Sequence, residues 1–204
     1  MRITLSDTGK RFNRDWIFRH LSLVFAAGGS YAITGPNGSG KSTLLQVIAG
    51  AITPSEGTIG YSAKEKKLEA DQAYRHLSIA APYLEVIEEM TLIEFLHFHQ
   101  TFKPLKLPVE QVVTLVGLDG ATGKQIRYFS SGMKQRVKLA QAIFSNTDTL
   151  LLDEPCTNLD EQGITMYHRL IEEYGEGRLV IVSSNDPQEY GFCREVVEMK
   201  DFKS

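Results

Sequence analysis

Nine residues at positions 35–43, GPNGSGKST, combine glycines with a lysine and three hydroxyl side chains. They fit G-x-x-x-x-G-K-[ST] between a predicted strand and a predicted helix, the context that a phosphate-binding loop requires. Glycines let successive backbone N–H groups point at phosphate oxygens, and the helix N-terminus favours their charge. Lys41 can reach the outer phosphates, and the Ser42 hydroxyl can bind Mg²⁺. The residues predicted to bind a nucleoside triphosphate are Gly35, Pro36, Asn37, Gly38, Ser39, Gly40, Lys41, Ser42 and Thr43.

A second candidate site lies at the end of the apolar run TLLLD, where Asp153 is followed by Glu154. In open parallel sheets, ligands bind at the carboxyl ends of the strands. One carboxylate can hold Mg²⁺ through water, and the other can polarise an attacking water. Two acids at a strand end can also be simple surface residues. The phosphate-binding loop in the same chain favours the catalytic interpretation, with Asp153 as metal-binding residue and Glu154 as catalytic residue.

Strand-like and helical segments alternate along the chain, which predicts an α/β fold with a parallel sheet. A helix-rich middle indicates an inserted lobe, and the polar segment 62–75 is predicted to be an exposed connector. Prolines break the middle helical block near Pro104 and Pro108. Strands are predicted at 2–6, 16–18, 21–25 and 30–34, within 53–61 after a turn, within the apolar run 76–82, and at 149–153, 179–183 and 194–199. Helices are predicted at 41–49, within 91–118, at 130–145 and at 160–174.

Composition narrows the classes of function. The chain has 204 residues, enough for one sizeable core or a core plus a small lobe. A net charge of −3 gives no reason to expect a nucleic-acid partner. No apolar run approaches the roughly 20 residues of a membrane-spanning helix, and the N-terminus does not resemble a signal peptide. With two cysteines and no disulfide framework, a cytoplasmic protein is expected, one that would reach a membrane through a partner.

Residues 128–143, YFSSGMKQRVKLAQAI, precede the acidic strand, and with them the chain resembles the ATP-binding cassette (ABC) ATPases. The family signature Leu-Ser-Gly-Gly-Gln stands here as FSSGM at 129–133. LLLDEP followed by TNLD is similar to the family's magnesium-binding strand and dimer-interface loop, which Asp160 closes. Phosphate-binding loops are widespread, whereas this order and spacing of motifs is specific. The resemblance covers essentially the whole chain.

The resemblance implies a P-loop NTPase fold. Its parts would be a RecA-like parallel-sheet core, an N-terminal antiparallel β subdomain and an inserted α-helical subdomain. Within a single ABC ATPase domain, residues 1–82 and 147–204 would form the ATP-binding core with the β subdomain. Residues from about 83 to 146 would form the helical subdomain and carry the signature.

The resemblance also implies how such a chain works. Two subunits would pack head to tail around two Mg-ATP, and hydrolysis at Glu154 would release them. Phe12 falls where the family stacks an aromatic ring on adenine, with Trp16 as a nearby alternative. The signature lies at a predicted helix N-terminus, which suits contact with a γ-phosphate held by the other subunit. The signature residues implied to act across the dimer are Ser130, Ser131, Gly132 and Met133.

Two polar residues of the family pattern are replaced. By spacing from Thr91, Tyr83 stands where the family has a glutamine near Mg²⁺, and a tyrosine lacks the amide carbonyl. Asn185, in SSND, stands where the family has a histidine that contacts the γ-phosphate. Asparagine can donate from its amide but carries no charge and exchanges no proton. Because losing one transition-state donor typically costs about 10²–10³ in rate, a slow ATPase is expected, with Asn185 as a catalytic residue beside Lys41 and Glu154.

Three functions follow as hypotheses. The first is the ATPase subunit of an ABC transporter, similar to the compact bacterial exporter type, with an integral-membrane permease on a separate chain. The partners would be that permease and a second ABC subunit, identical or not, and the location would be the inner face of the cell membrane. A non-transport ABC ATPase is the second hypothesis. The third is a regulatory ATP-binding subunit, weak in hydrolysis and paired with another cassette, which Tyr83 and Asn185 favour.

Overall fold

The computed structural model describes residues 1–64 and 66–202. The chain folds into two compact units. The first unit contains both sheets apart from one terminal strand residue, and the second contains most of the helices. The first unit comprises Met1–Ile79, Asp148–Asp153 and Gly177–Ser204, and the second comprises Ala80–Thr147 and Glu154–Glu176.

The unit boundaries and the expected subdomain boundaries differ by a few residues at 80–82 and 147, and by one longer segment. The resemblance assigns residues 154–176 to the ATP-binding core, whereas these residues cluster with the helices of the second unit. The division into a core at 1–82 and 147–204 and a helical subdomain at about 83–146 therefore stays a prediction.

Within residues 1–64 and 66–202, the strands form two sheets, one of five strands and one of four. The five-stranded sheet has the order β6-β7-β8-β3-β9, and the pairs β7–β8, β8–β3 and β3–β9 are parallel. The four-stranded sheet has the order β2-β1-β4-β5, and its pairs are antiparallel. The strands are β1 (Arg2–Phe12), β2 (Asp15–Phe25), β3 (Ser30–Thr34), β4 (Glu56–Ala63), β5 (Lys66–Leu68), β6 (Leu77–Ala80), β7 (Thr149–Asp153), β8 (Leu179–Ser183) and β9 (Glu195–Glu198). The expected combination of a parallel sheet and an N-terminal antiparallel sheet is confirmed.

The core of the first unit explains why these strands form where they do. All five residues of β7 and all five of β8 are buried, as expected for central strands of a parallel sheet covered on both faces. The first helix, α1 (Lys41–Ile48), buries four apolar side chains in the same core. One hydrophobic cluster thus joins α1 to both sheets and fixes the segment that precedes it, residues 35–40.

The helices of the second unit follow their local signals. Thr91 caps α2 (Leu92–Gln100) through a capping box with Glu94. Between α2 and α3 (Val109–Leu115) lie the two prolines expected to break this block. The longer helices α4 (Ser131–Phe144) and α5 (Glu161–Tyr174) each begin at a side-chain cap.

Two segments differ from the sequence-based expectation. The polar segment 62–75 is largely exposed, but it is no simple connector, because it contains β5 and most of a 3₁₀ helix at Ala70–His76. That 3₁₀ helix buries Ala73 in the core of the first unit; Glu65 lies outside the described residues. A short helix, α6 (Pro187–Tyr190), was not expected; Asp186 caps it and Pro187 is its first residue.

Candidate nucleotide-binding site

The loop at 35–40 joins β3 to α1 and has the backbone of a phosphate-binding loop. Gly35, Gly38 and Gly40 have φ angles of 146°, 77° and 99°, which side-chain-bearing residues rarely adopt. Gly40 is the N-cap of α1, and no described side chain caps that helix end. A Cβ at Gly40 would overlap Cγ2 of Ile17 in β2. The result is a helix N-terminus whose first N–H groups are available to an anion.

Lys41 lies inside this loop. Only 5% of the residue is exposed, and its Nζ donates to the Gly35 carbonyl at 2.7 Å and to the Pro36 carbonyl at 3.5 Å. Its charge is therefore held by loop carbonyls, close to the backbone N–H groups that an anion would use. An arriving phosphate would offer this ammonium a stronger, charged acceptor.

Asn185, at the position where a histidine was expected, contacts the same loop. It follows β8, and its Oδ1 accepts a hydrogen bond from the Gly35 N–H at 3.1 Å. Its Nδ2 lies 3.4 Å from Oδ1 of Asn37, in donating orientation. The structure thus brings together Asn185 and the predicted phosphate-binding residues. The pairing with Asn37 was missed by sequence reasoning, since the two residues are 148 positions apart.

The residues at the carboxyl ends of the parallel strands fit a magnesium ion. Asp153 ends β7 and is only 1% exposed, so a carboxylate is buried there. It is in register with Ser183 on β8. The buried Oγ atoms of Ser39 and Ser183 have no hydrogen-bond partner among the described residues. Oxygen donors of this kind suit Mg²⁺, which commonly uses one or two carboxylates together with substrate phosphates and waters.

No three-residue cluster of His, Cys, Asp or Glu with metal-binding geometry occurs in the described part of the chain. Ser42, the other predicted metal ligand, is the second residue of α1 and is partly exposed.

Two aromatic rings were considered for adenine, and their surroundings differ. Phe12, near the tip of the β1–β2 hairpin, is 50% exposed, with Lys10 Nζ 5.1 Å from its ring centre. The Trp16 ring is covered by the Arg19 guanidinium at 4.2 Å, and Arg11 lies 5.4 Å away. Phe12 therefore presents more free ring surface than Trp16.

Glu154, in the second unit, has an unusual backbone. Its φ of 44° is rare for a residue with a side chain, and Asn158 four residues later has a φ of 64°. The Glu154 carbonyl accepts from the Thr157 N–H at 3.1 Å, which closes a tight turn immediately after β7. Backbone strain of this kind is concentrated at functional sites, because surrounding structure must maintain it.

The predicted signature residues lie at the start of α4. Ser130 is the N-cap, and its Oγ accepts from the Met133 N–H at 3.2 Å. Gly132 lies against the 154–160 loop: a Cβ there would be 2.7 Å from the Asn158 carbonyl oxygen. An open cavity of about 580 Å³ adjoins this helix end. Its lining includes Lys124, Ser130, Ser131, Gly132, Met133 and Asp160.

Asp160 caps α5 rather than standing free. Its Oδ1 accepts from the Gly163 N–H at 2.8 Å and from Arg136 at 3.1 Å. The hydrogen bond from Gly163 and the charge of Arg136 lower the pKa of Asp160. Sequence reasoning found Asp160 but missed Arg136, although both residues flank recognisable motifs.

Tyr83, at the predicted glutamine position, is exposed on the second unit. The chain just before it is tied to α4, because Lys138 Nζ donates to the Pro82 carbonyl at 2.9 Å. Burial lowers the pKa of Lys138. Tyr83 is thus the first exposed residue after a segment anchored on the signature helix.

The parallel sheet, the open glycine loop with its internal lysine and the buried aspartate at a strand end define the class: a P-loop NTPase. No helix within residues 1–64 and 66–202 is both long and apolar enough to cross a bilayer.

Comparison with known proteins places the chain within that class. The family model described as "ABC transporter" matches residues 18–157, more than half of the chain. An ABC transporter ATP-binding protein of Bacillus subtilis, YybJ, is 31% identical, over 97% of this chain and 92% of its own length. The cytochrome c biogenesis ATP-binding export protein CcmA of Rhizobium johnstonii is 32% identical, over 92% of this chain and 89% of its own length.

A solved structure has the same fold. The ATP-binding cassette MJ0796, determined as a dimer in a post-hydrolysis state with ADP and phosphate, superposes with a TM-score of 0.80. It is 21% identical, over 96% of this chain and 93% of that one. The chain therefore belongs to the ABC transporter family, and it is an ATP-binding protein of that family.

Proposed function

We propose that the chain is an ATP-hydrolysing subunit that dimerises around two Mg-ATP and drives a membrane permease on a separate chain. One observation carries the proposal: the glycine loop at 35–40 holds the Lys41 side chain beside the uncapped N-terminus of α1. Asn185 accepts a hydrogen bond from the N–H of Gly35, the first residue of that loop. This geometry supplies N–H groups, a cation and an adjustable amide to one phosphate chain.

Each predicted residue has a role in this proposal. Lys41 exchanges its carbonyl partners for the outer phosphates, and Phe12 stacks on adenine through its exposed ring. Ser42 and Asp153 would hold Mg²⁺, Asp153 through water, and the ion would neutralise charge on the phosphates. Glu154, whose positive φ is rare for a residue with a side chain, would orient and deprotonate the attacking water.

The proposed dimer contact is made by residues of the second unit. Ser130 and Gly132 stand at a helix N-terminus beside an open cavity, and they would contact ATP held by the other subunit. Dimerisation is supported by the dimeric state of the MJ0796 cassette. A permease partner is supported by the transporter and export descriptions of the YybJ and CcmA relatives. The chain would work at the inner face of the cell membrane.

Hydrolysis is proposed to be slow. Asn185 supplies an acceptor and a donor but no charge, and Tyr83 lacks the amide of a glutamine. The loss of one preorganised donor corresponds to about 10²–10³ in rate. The same two residues favour a second candidate function, a regulatory subunit that binds ATP and relies on another cassette for hydrolysis.

Steady-state Mg-ATP hydrolysis by the purified chain tests these alternatives. The variants are Glu154→Gln and Asn185→His, with Asn146→His as a matched control at an exposed loop position. The proposal is supported if the native chain hydrolyses ATP and Glu154→Gln does not. The slow rate is supported if Asn185→His hydrolyses ATP faster than the native chain and Asn146→His does not. ATP binding without hydrolysis in every variant favours the regulatory function. Failure to bind ATP would refute both.

A further inference from the structure

Asn185 is held in place by the residues on either side of it. The Ser184 N–H donates to the Ile33 carbonyl on β3 at 3.1 Å, and Asp186 is the N-cap of α6. The Asp186 N–H also donates to the Ser184 hydroxyl at 2.9 Å, so the backbone is tied together across Asn185. With the backbone fixed on both sides, the side-chain torsions of Asn185 alone determine where its amide points.

The Gly35 N–H determines how this amide is oriented. A backbone N–H can only donate, so its partner must be the amide oxygen of Asn185, and Oδ1 lies 3.1 Å from it. The amide nitrogen of Asn185 therefore faces away from Gly35, and it can only donate. It lies 3.4 Å from Oδ1 of Asn37, which accepts. One backbone donor thus sets the orientation of both asparagine amides.

This orientation leaves the Asn37 amide nitrogen as the free end of the pair. Asn37 is exposed, and its Nδ2 donates to no residue within 1–64 and 66–202. Apart from its own chain neighbours, no heavy atom of the described residues lies within 4 Å of a Cβ built on the next residue, Gly38. The Asn37 amide therefore presents two N–H groups to open space beside the loop.

The Lys41 side chain indicates which phosphate would occupy this space. In loops of this kind the lysine reaches the outer phosphates. Its Nζ lies 2.7 Å from the Gly35 carbonyl oxygen and 3.5 Å from that of Pro36, so the outer phosphates belong at the start of the loop. Asn37 is the next residue along the chain. An N–H donor at this position is suited to the last phosphate of a nucleoside triphosphate, which a diphosphate lacks.

We propose that Asn37 is a specificity-determining residue whose Nδ2 donates to the terminal phosphate of a bound nucleoside triphosphate, and that Asn185 is a positioning residue acting through Asn37. The inference rests on the proposed function and deepens it, because it assigns the phosphate-binding amide to Asn37 and not to Asn185. Both ends of the Asn185 amide are already engaged, the oxygen by Gly35 and the nitrogen by Asn37. The pair would thus distinguish ATP from ADP.

Calorimetry with ATP and with ADP tests the assignment on the full chain, in EDTA so that ATP is not hydrolysed. In Asn37→Ala, ATP should bind about ten- to hundredfold more weakly and ADP less than about twofold, because only ATP loses a hydrogen bond to a charged acceptor. Asn185→Ala should weaken ATP binding about three- to tenfold with ADP unchanged, because Asn37 keeps its donor but loses its fixed orientation. Asn146→Ala, at an exposed loop position, is the matched control and should change neither affinity.

The double variant Asn37→Ala/Asn185→Ala distinguishes action through Asn37 from direct contact with the phosphate. If Asn185 acts through Asn37, the double variant should bind ATP as weakly as Asn37→Ala and no more weakly. Single losses that multiply in the double variant would overturn the assignment, because they would indicate that Asn185 contacts the phosphate itself. Equal losses for ATP and ADP in either single variant would overturn it too, because they would indicate a change in the shape of the loop.

The same titrations separate a failure of this assignment from a failure of the proposed function. If the native chain binds ATP and the variants bind both nucleotides as the native chain does, the role of Asn37 is refuted and the proposed function stands. If the native chain binds neither nucleotide, the proposed function fails and the role of Asn37 fails with it. Both asparagines are exposed, so the variants should keep the Tm of the native chain.

Discussion

Gly40→Ala should destabilise the chain and impair nucleotide binding through two separable effects. The first is conformational: at a φ of 99°, a residue with a Cβ costs about 1–2 kcal/mol more than glycine. The second is steric, because the new Cβ overlaps Cγ2 of Ile17, and overpacking costs about 1–3 kcal/mol. The free energy of unfolding should therefore fall by about 2–5 kcal/mol.

Gly38→Ala separates the two effects. Gly38 has a φ of 77°, but apart from its own chain neighbours no heavy atom of the described residues lies within 4 Å of a Cβ built on it. This variant should show the conformational cost alone, about 1–2 kcal/mol. Ile17→Ala removes the overlapping methyl group. The unfolding free energy lost by adding Gly40→Ala should therefore be smaller in the Ile17→Ala background than in the native chain, by most of the steric cost.

Urea unfolding followed by far-UV circular dichroism gives the stabilities, and calorimetry gives the ATP affinity. We expect Gly40→Ala to weaken ATP binding at least about tenfold, because its Cβ stands at the helix end that faces the phosphates. Equal stabilities of the Gly38 and Gly40 variants, within about 0.5 kcal/mol, would refute the steric reasoning. The steric reasoning would also be refuted if the Ile17→Ala/Gly40→Ala double variant lost as much unfolding free energy as the two single variants together.

Two further predictions concern stability against pH. Burial lowers the pKa of His99 to about 4, so its contribution to stability is complete above about pH 6.5 and is lost as pH falls toward 4. His99→Gln, which can keep a hydrogen bond to Ser145, should flatten the acid side of a Tm-against-pH curve, and an unchanged acid slope would contradict this. Burial raises the pKa of Tyr61 to about 12, so its contribution is complete below about pH 10 and is lost as pH rises through 12. Tyr61→Phe should remove that alkaline slope and cost about 1 kcal/mol at neutral pH, since the Ile48 carbonyl loses its donor at 3.1 Å; an alkaline slope like that of the native chain would count against it.

Features with local causes could be predicted from the sequence. Helix α1 begins at Lys41 because glycines before it permit the necessary φ angles. Helix α4 begins after Ser130 because a serine hydroxyl can accept from an N–H of the first turn. The strands β7 and β8 were recognisable as apolar runs of the length typical of buried parallel strands.

Features that depend on distant partners could not be predicted. The 3₁₀ helix at Ala70–His76 is polar in sequence, and it is fixed by distant partners: Ala73 is buried in the core, and His76 contacts Asp148 at 2.8 Å. The four-residue helix α6 had its signals, Asp186 followed by Pro187, but it is too short for a periodic pattern. The contact of Asn185 with Gly35 joins residues 150 positions apart, and neither residue type predicts it from the sequence.

Asn185 stands where the family resemblance implies a histidine, and its amide keeps some functions of an imidazole and lacks others. A neutral imidazole offers one acceptor and one donor, and the Asn185 amide offers both, here to the Gly35 N–H and to Asn37. The hydrogen bonds that connect the end of β8 to the phosphate-binding loop are thus formed without a titrating group. What is lost is the positive charge that an imidazolium can place near a phosphate. In the proposed site that charge comes from Lys41 and Mg²⁺, so the substitution should lower the hydrolysis rate more than ATP affinity.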